Sequence, residues 1–155
     1  MLQPWIPGRA RPAPSPPLNE TARVDISVRN FLCLSVLETS RASAFHLGTI
    51  VRAAFVLAYL HRLGYATLTA KEFRRAERGF GRAAARLTGV APGALDSDEL
   101  QSARRVVRAF DLTLASVPVS VLATAHRHAQ ANFDVSLAQR MSMTRLVEDG
   151  GWAPA

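Results

Sequence analysis

The chain has 155 residues, enough for one domain whose core needs no disulfide or metal staple. Hydrophobic residues make up 48%, which excludes a fully disordered chain, and a formal net charge of +7 favours polyanionic partners such as nucleic acid or acidic lipid headgroups. Cys33 is the only cysteine, so an intramolecular disulfide is excluded and nothing demands an oxidising compartment.

Six of the nine prolines fall within residues 1–17, "MLQPWIPGRARPAPSPP", a spacing that forbids helix or sheet. The expected organisation is a disordered Pro/Arg-rich tail over 1–23, a helical domain over 24–149 and a short C-terminal tail over 150–155. "VDISVR" at 24–29 alternates like a strand, but a lone strand cannot satisfy its backbone, and "NFLCLSVLETSRAS" reads as helix. The first helix is placed over 28–42, with Cys33 as a small buried hydrophobe.

Ser43 is a candidate cap for a second helix that runs to a terminating Gly64. Between Ile50 and Leu60 only Arg52 is charged, the composition of a helix at the centre of a bundle. The apolar run "AAFVLAYL" at 53–60 is too short to span a bilayer, and the N-terminus lacks a continuous apolar signal region. A cytoplasmic protein with no membrane partner is expected.

Thr69-x-x-Glu72 opens a third helix with a capping box, and Gly89 closes it. At 100° per residue, Phe73, Ala76, Phe80, Ala83, Ala84 and Leu87 share one side. Arg74, Arg75, Arg78, Arg82 and Arg86 share the other. Residues 70–88 carry six basic and two acidic side chains, a balance of +4. Arginine is suited to bidentate phosphate contact, so these five are the candidate nucleic-acid-binding residues. A solvated face, paired locally with Glu72 and Glu77, explains the same pattern. Gly79-x-Gly81-x-x-Ala84 has the letters of a dinucleotide fingerprint without the preceding strand that the fingerprint needs. The glycines are expected to permit close helix approach or a mild bend.

A fourth helix has its N-cap at Asp96, with Glu99 three residues on and Leu100, Ala103, Val107, Phe110 and Leu114 at helical spacing. Asp111 is expected to pair with Arg104 and Arg108. Ser116 and Pro118 announce a fifth helix with a stripe of Val119, Leu122, Ala129 and Phe133, and a last helix spans 136–148. In this register His126 lies on the apolar face and His128 on the wet one, about 200° apart, so they cannot chelate one metal. The fold expected is an all-α, single-domain bundle of five or six helices, with Phe55, Leu57, Phe73, Phe80, Phe110 and Phe133 buried. No catalytic residue, metal ligand or cofactor is assigned.

The segment "AAARLTGVAPGAL" at 83–95 resembles the Fis-type helix-turn-helix in Ala84, Leu87, Gly89, Val90 and Leu95. Asp96, Asp98 and Glu99 then fall where such a motif meets phosphates, and carboxylates there repel the backbone. Over about residues 28–133 the chain is similar to small helical proteobacterial proteins labelled Fis-family transcriptional regulators. Leu47, Leu60, Gly64, Phe73, Ala76, Asp111, Leu114 and Pro118 carry the likeness. That resemblance implies regulation of transcription and brings no active residues. The leading expectation is nucleic-acid or transcription-related regulation through the arginine face. The alternative is an interaction module that binds another protein or itself.

Overall fold

A computed structural model describes residues 15–90 and 93–148, which form six α-helices and no strand. They are α1 (Glu20–Leu37), α2 (Ala44–Arg62), α3 (Ala70–Leu87), α4 (Ser97–Leu114), α5 (Val119–Asp134) and α6 (Met143–Glu148). The all-helical bundle is as expected. Of the tail expected over residues 1–23, residues 1–14 lie outside the described residues, as do residues 150–155, while residues 20–23 belong to the first helix.

The first helix differs most from its reading. It opens at Glu20, because the Asn19 side chain accepts from the Ala22 N–H at 2.8 Å and Glu20 supplies an acid to the first turn. The alternation in "VDISVR" is therefore a helical pattern: Ile26 packs on the core while Val24 and Val28 point out. Upstream, Ser15 and Pro16 are bound to the start of α5, with Val119 N–H donating to the Pro16 carbonyl at 2.9 Å. The Ser15 and Ser120 hydroxyls bond at 2.7 Å.

α2 is the hub and touches each of the other five helices. Every residue from Ala53 to Leu60 is buried. It is the one described helix long and apolar enough to cross a membrane, longer than the 53–60 run suggested, and 56% of its apolar window is buried by its neighbours. Its end is a Schellman closure: Tyr65 N–H reaches the Leu60 carbonyl, Gly64 N–H reaches His61, and Gly64 takes φ +81°. Ser43 precedes the helix, but its hydroxyl bonds His46 Nδ1 at 2.8 Å rather than capping the backbone.

α3 and α4 both begin with complete capping boxes, Thr69/Glu72 and Asp96/Glu99. They pack against each other across Gly79, where a Cβ would lie 3.6 Å from Ser102 Oγ; α3 runs through both glycines unbroken. Phe55, Leu57, Phe73, Phe80 and Phe110 are buried, and Phe133 is half-buried. Its ring meets Phe55 edge-on at 5.1 Å, with Arg52 and Arg140 over it.

The inward face of α5 is Leu122, Ala125, Ala129 and Asn132, rotated from the expected stripe. That rotation reverses the histidines: His126 is exposed, and His128 is half-buried and stacked on Tyr59 at 5.5 Å. The last helix is confined to Met143–Glu148. Asn132 holds the preceding loop by bonding both the Met141 N–H and its carbonyl. Glu77 accepts from the Met143 and Thr144 N–H groups at the start of α6. Asp111 accepts from the Ser27 hydroxyl, and Arg104 pairs with Glu38 at 2.7 Å, so the expected local pair on α4 is not formed.

Candidate functional site

The capping box fixes where α3 starts and therefore which way its arginines point. Phe73, Ala76, Gly79, Phe80, Ala83 and Leu87 face inward. Ala84, expected with them, is exposed, because the buried stripe is centred on Gly79 and Ala83. Arg74, Arg75, Arg78 and Arg82 are exposed and Arg86 is half-buried, so the face exists as read.

Its charge is another matter. Arg74 pairs with Glu148, and Arg75 with Asp98 at 3.0 Å. Arg86 lies 2.6 Å from Glu99 and 3.3 Å from Asp96, and Arg82 lies 3.9 Å from Glu99. Arg78 alone of the five has no ion-pair partner among the described residues. Adding Asp96, Asp98, Glu99 and Glu148 to Glu72 and Glu77 gives six acids against the six basic residues of 70–88. Arg105 of α4, which pairs with Glu72 at 3.0 Å, makes seven bases, so the local balance is +1 where the linear stretch showed +4.

The carboxylates that would repel DNA from a recognition helix thus hold the arginines of the preceding helix. Glu99 is fully buried; it accepts from Arg86 and from the Asp96 N–H at 2.9 Å. Asp96 is held below its usual range, first by the Glu99 N–H it accepts and then by Arg86; the Arg86 guanidinium is pushed up, first by its hydrogen bond to Asp96 and then by the Glu99 carboxylate. A helix-turn-helix needs a turn of three or four residues. Residues 88–96 separate α3 from α4, since the capping box starts α4 only at Ser97. What remains open on this face is a polar hollow of about 290 Å³ lined by Arg75, Arg78, Arg82, Asp98 and Ser102.

A second surface is not legible from a first helix placed at 28–42. The outer side of α1 exposes Val24 (45%), Val28 (50%), Phe31 (39%) and Leu32 (61%), and Leu112 of α4 is 66% exposed. Val24, Val28, Phe31 and Ser35 follow a 4-3-4 spacing, the seam that helices use to pack on helices. They border a groove of about 320 Å³ whose polar members include Arg23, Ser27 and Asp111. The opposite side of α1 buries Asn30, Cys33, Leu34 and Leu37, so this helix has two apolar faces and the fold uses one.

Among the described residues no three His, Cys, Asp or Glu side chains converge as a metal site. No family model, curated protein or solved structure matches this chain.

Proposed function

We propose that this chain is a helical protein–protein interaction module that associates with a second copy of itself through the outer face of α1. The observation that carries this reading is the heptad-spaced row of Val24, Val28 and Phe31 beside Leu32, left open on a helix whose other face is already buried. Exposed apolar patches of a few hundred Å² mark interaction surfaces. A 4-3-4 seam accepts a helix with the same seam, and a two-fold pairing of α1 with α1 uses each contact twice. α1 carries Glu20, Asp25, Arg23 and Arg29, two charges of each sign, so two copies meet without net repulsion despite the basic chain.

The seam is small against the ~800 Å² per partner of a standard interface, so the dimer should be weak, with Kd on the order of 1–100 μM. Sedimentation over a concentration series is the test. The wild-type chain should shift from monomer to dimer, and the Val28→Asp/Leu32→Asp variant should stay monomeric with unchanged helix content. A wild-type chain monomeric throughout rejects the reading.

A second reading rests on Arg78, exposed at the polar hollow and without an ion-pair partner among the described residues. Here the arginine face contacts phosphate in a nucleic-acid or transcription-related role, the role the Fis-family resemblance implies. Arg78→Gln should then reduce the salt slope of duplex binding by about 0.9 for each phosphate the variant no longer neutralises. Equal affinity and slope in the variant would remove it.

A further inference from the structure

A further concavity belongs to neither surface. It is a cleft of about 680 Å³ bounded by α1, α2 and α5, within the volume range of small-molecule sites. Its floor and walls are apolar, with Phe110 from α4, Phe133 from α5, and Ile26 and Val51 from either side. At the rim stands Phe45, 75% exposed, the most open phenylalanine among the described residues.

The charged groups in this cleft share one sign. Arg29 of α1 and Arg52 of α2 line it together with Asn30 and His126, and no carboxylate does so among the described residues. Arg29 has no ion-pair partner among them. Arg52 donates to the neutral amide of Gln130 at 2.8 Å and lies over the Phe133 ring at 5.4 Å, so its charge is placed but not neutralised. On α3 nearly every guanidinium has found an acid; here two of them share an apolar cleft with none. The two arginines act on His126 as well: although the residue is open to solvent on one side, shielding of its ring by the cleft walls first, then Arg29, then Arg52 hold its pKa below the usual 6.5. Two guanidinium forks and a buried side-chain amide above an aromatic floor are complementary to a carboxylate on an apolar body.

We propose that the cleft between α1, α2 and α5 binds a small organic acid, with Arg29 and Arg52 taking the carboxylate and Phe45, Phe110 and Phe133 enclosing an aromatic or alkyl body. The site lies apart from the α1 seam, and the proposal does not depend on self-association.

The test is calorimetric titration of the full chain with 1-naphthoate and with its neutral counterpart, 1-naphthalenemethanol. Naphthoate should bind with one-to-one stoichiometry, and the alcohol about tenfold more weakly or worse. Arg29→Gln should weaken naphthoate about tenfold and leave the alcohol unchanged. Because Arg29 is exposed and has no ion-pair partner among the described residues, this variant should keep the wild-type unfolding midpoint. Arg52→Lys, which retains charge but not the fork, should give an intermediate loss. Phe45→Ala should weaken both ligands, and Arg78→Gln neither. Equal affinity for acid and alcohol, naphthoate binding unchanged in Arg29→Gln, or no heat from naphthoate at millimolar concentration would each overturn the proposal.

Discussion

Glu99 shows what a single residue does in this fold. It is the one charged side chain among the described residues with no exposed surface, yet it both completes the α4 capping box and anchors Arg86. Replacing it with Ala removes the acceptor for the Asp96 N–H and for Arg86, and should cost about 2–3 kcal/mol in urea unfolding. Glu99→Gln keeps the shape and one acceptor and should cost less than half of that. The solvent-accessible capping acids act through pH instead. Glu72, through the Thr69 N–H, and Asp96, through the Glu99 N–H, are held below their ordinary values of 4.5 and 3.8. The unfolded chain therefore binds more protons in that range, so their stabilisation is complete above those values and is lost as pH falls through the folded ones. The thermal unfolding midpoint should decline on acidification below about pH 4.5. The Glu72→Gln/Asp96→Asn variant should show a shallower decline; equal slopes would show that the caps are not the titrating groups. Both capping boxes are legible in the sequence because each closes within four residues.

At the scale of elements, reading succeeds where signals are local and fails where another helix decides. The two faces of α3 follow from its own periodicity. The neutralisation of its arginines does not, because Asp98, Glu99 and Glu148 arrive from 23, 13 and 74 residues away. The rotation of α5 likewise shows only against α2, whose Phe55 and Tyr59 rings meet Phe133 and His128. The start of α1 is hidden because its cap, Asn19, sits just after a proline cluster that reads as tail. α6 is too short to stand on its own periodicity, and Glu77 holds its first turn from α3. Glu77→Ala should therefore free this segment before the rest unfolds. Trypsin should cut after Arg140 or Arg145 several times faster than in wild type, while the cleavage rate within α2–α4 stays the same. Uniform acceleration would mean that α6 is part of the global cooperative unit.

The whole molecule is organised around α2, with Phe73 and Phe110 closing its core from α3 and α4. Phe110→Ala should cost about 3–5 kcal/mol, and a loss under about 1 kcal/mol would contradict a packed centre. Inside such a bundle, all-α composition, helix number and most core phenylalanines can be read from the sequence. The surfaces that remain open cannot, since each is defined by what neighbouring helices leave uncovered. The α1 seam is the central case. A mixed sample of carbon-13 methyl-labelled and unlabelled chains, examined by isotope-filtered NMR, tests it directly. Intermolecular contacts are expected between Val28 or Leu32 methyls of one copy and the Phe31 ring of the other. Intermolecular contacts confined to other helices, or none at concentrations well above 100 μM, the upper end of the expected ~1–100 μM range, would contradict it.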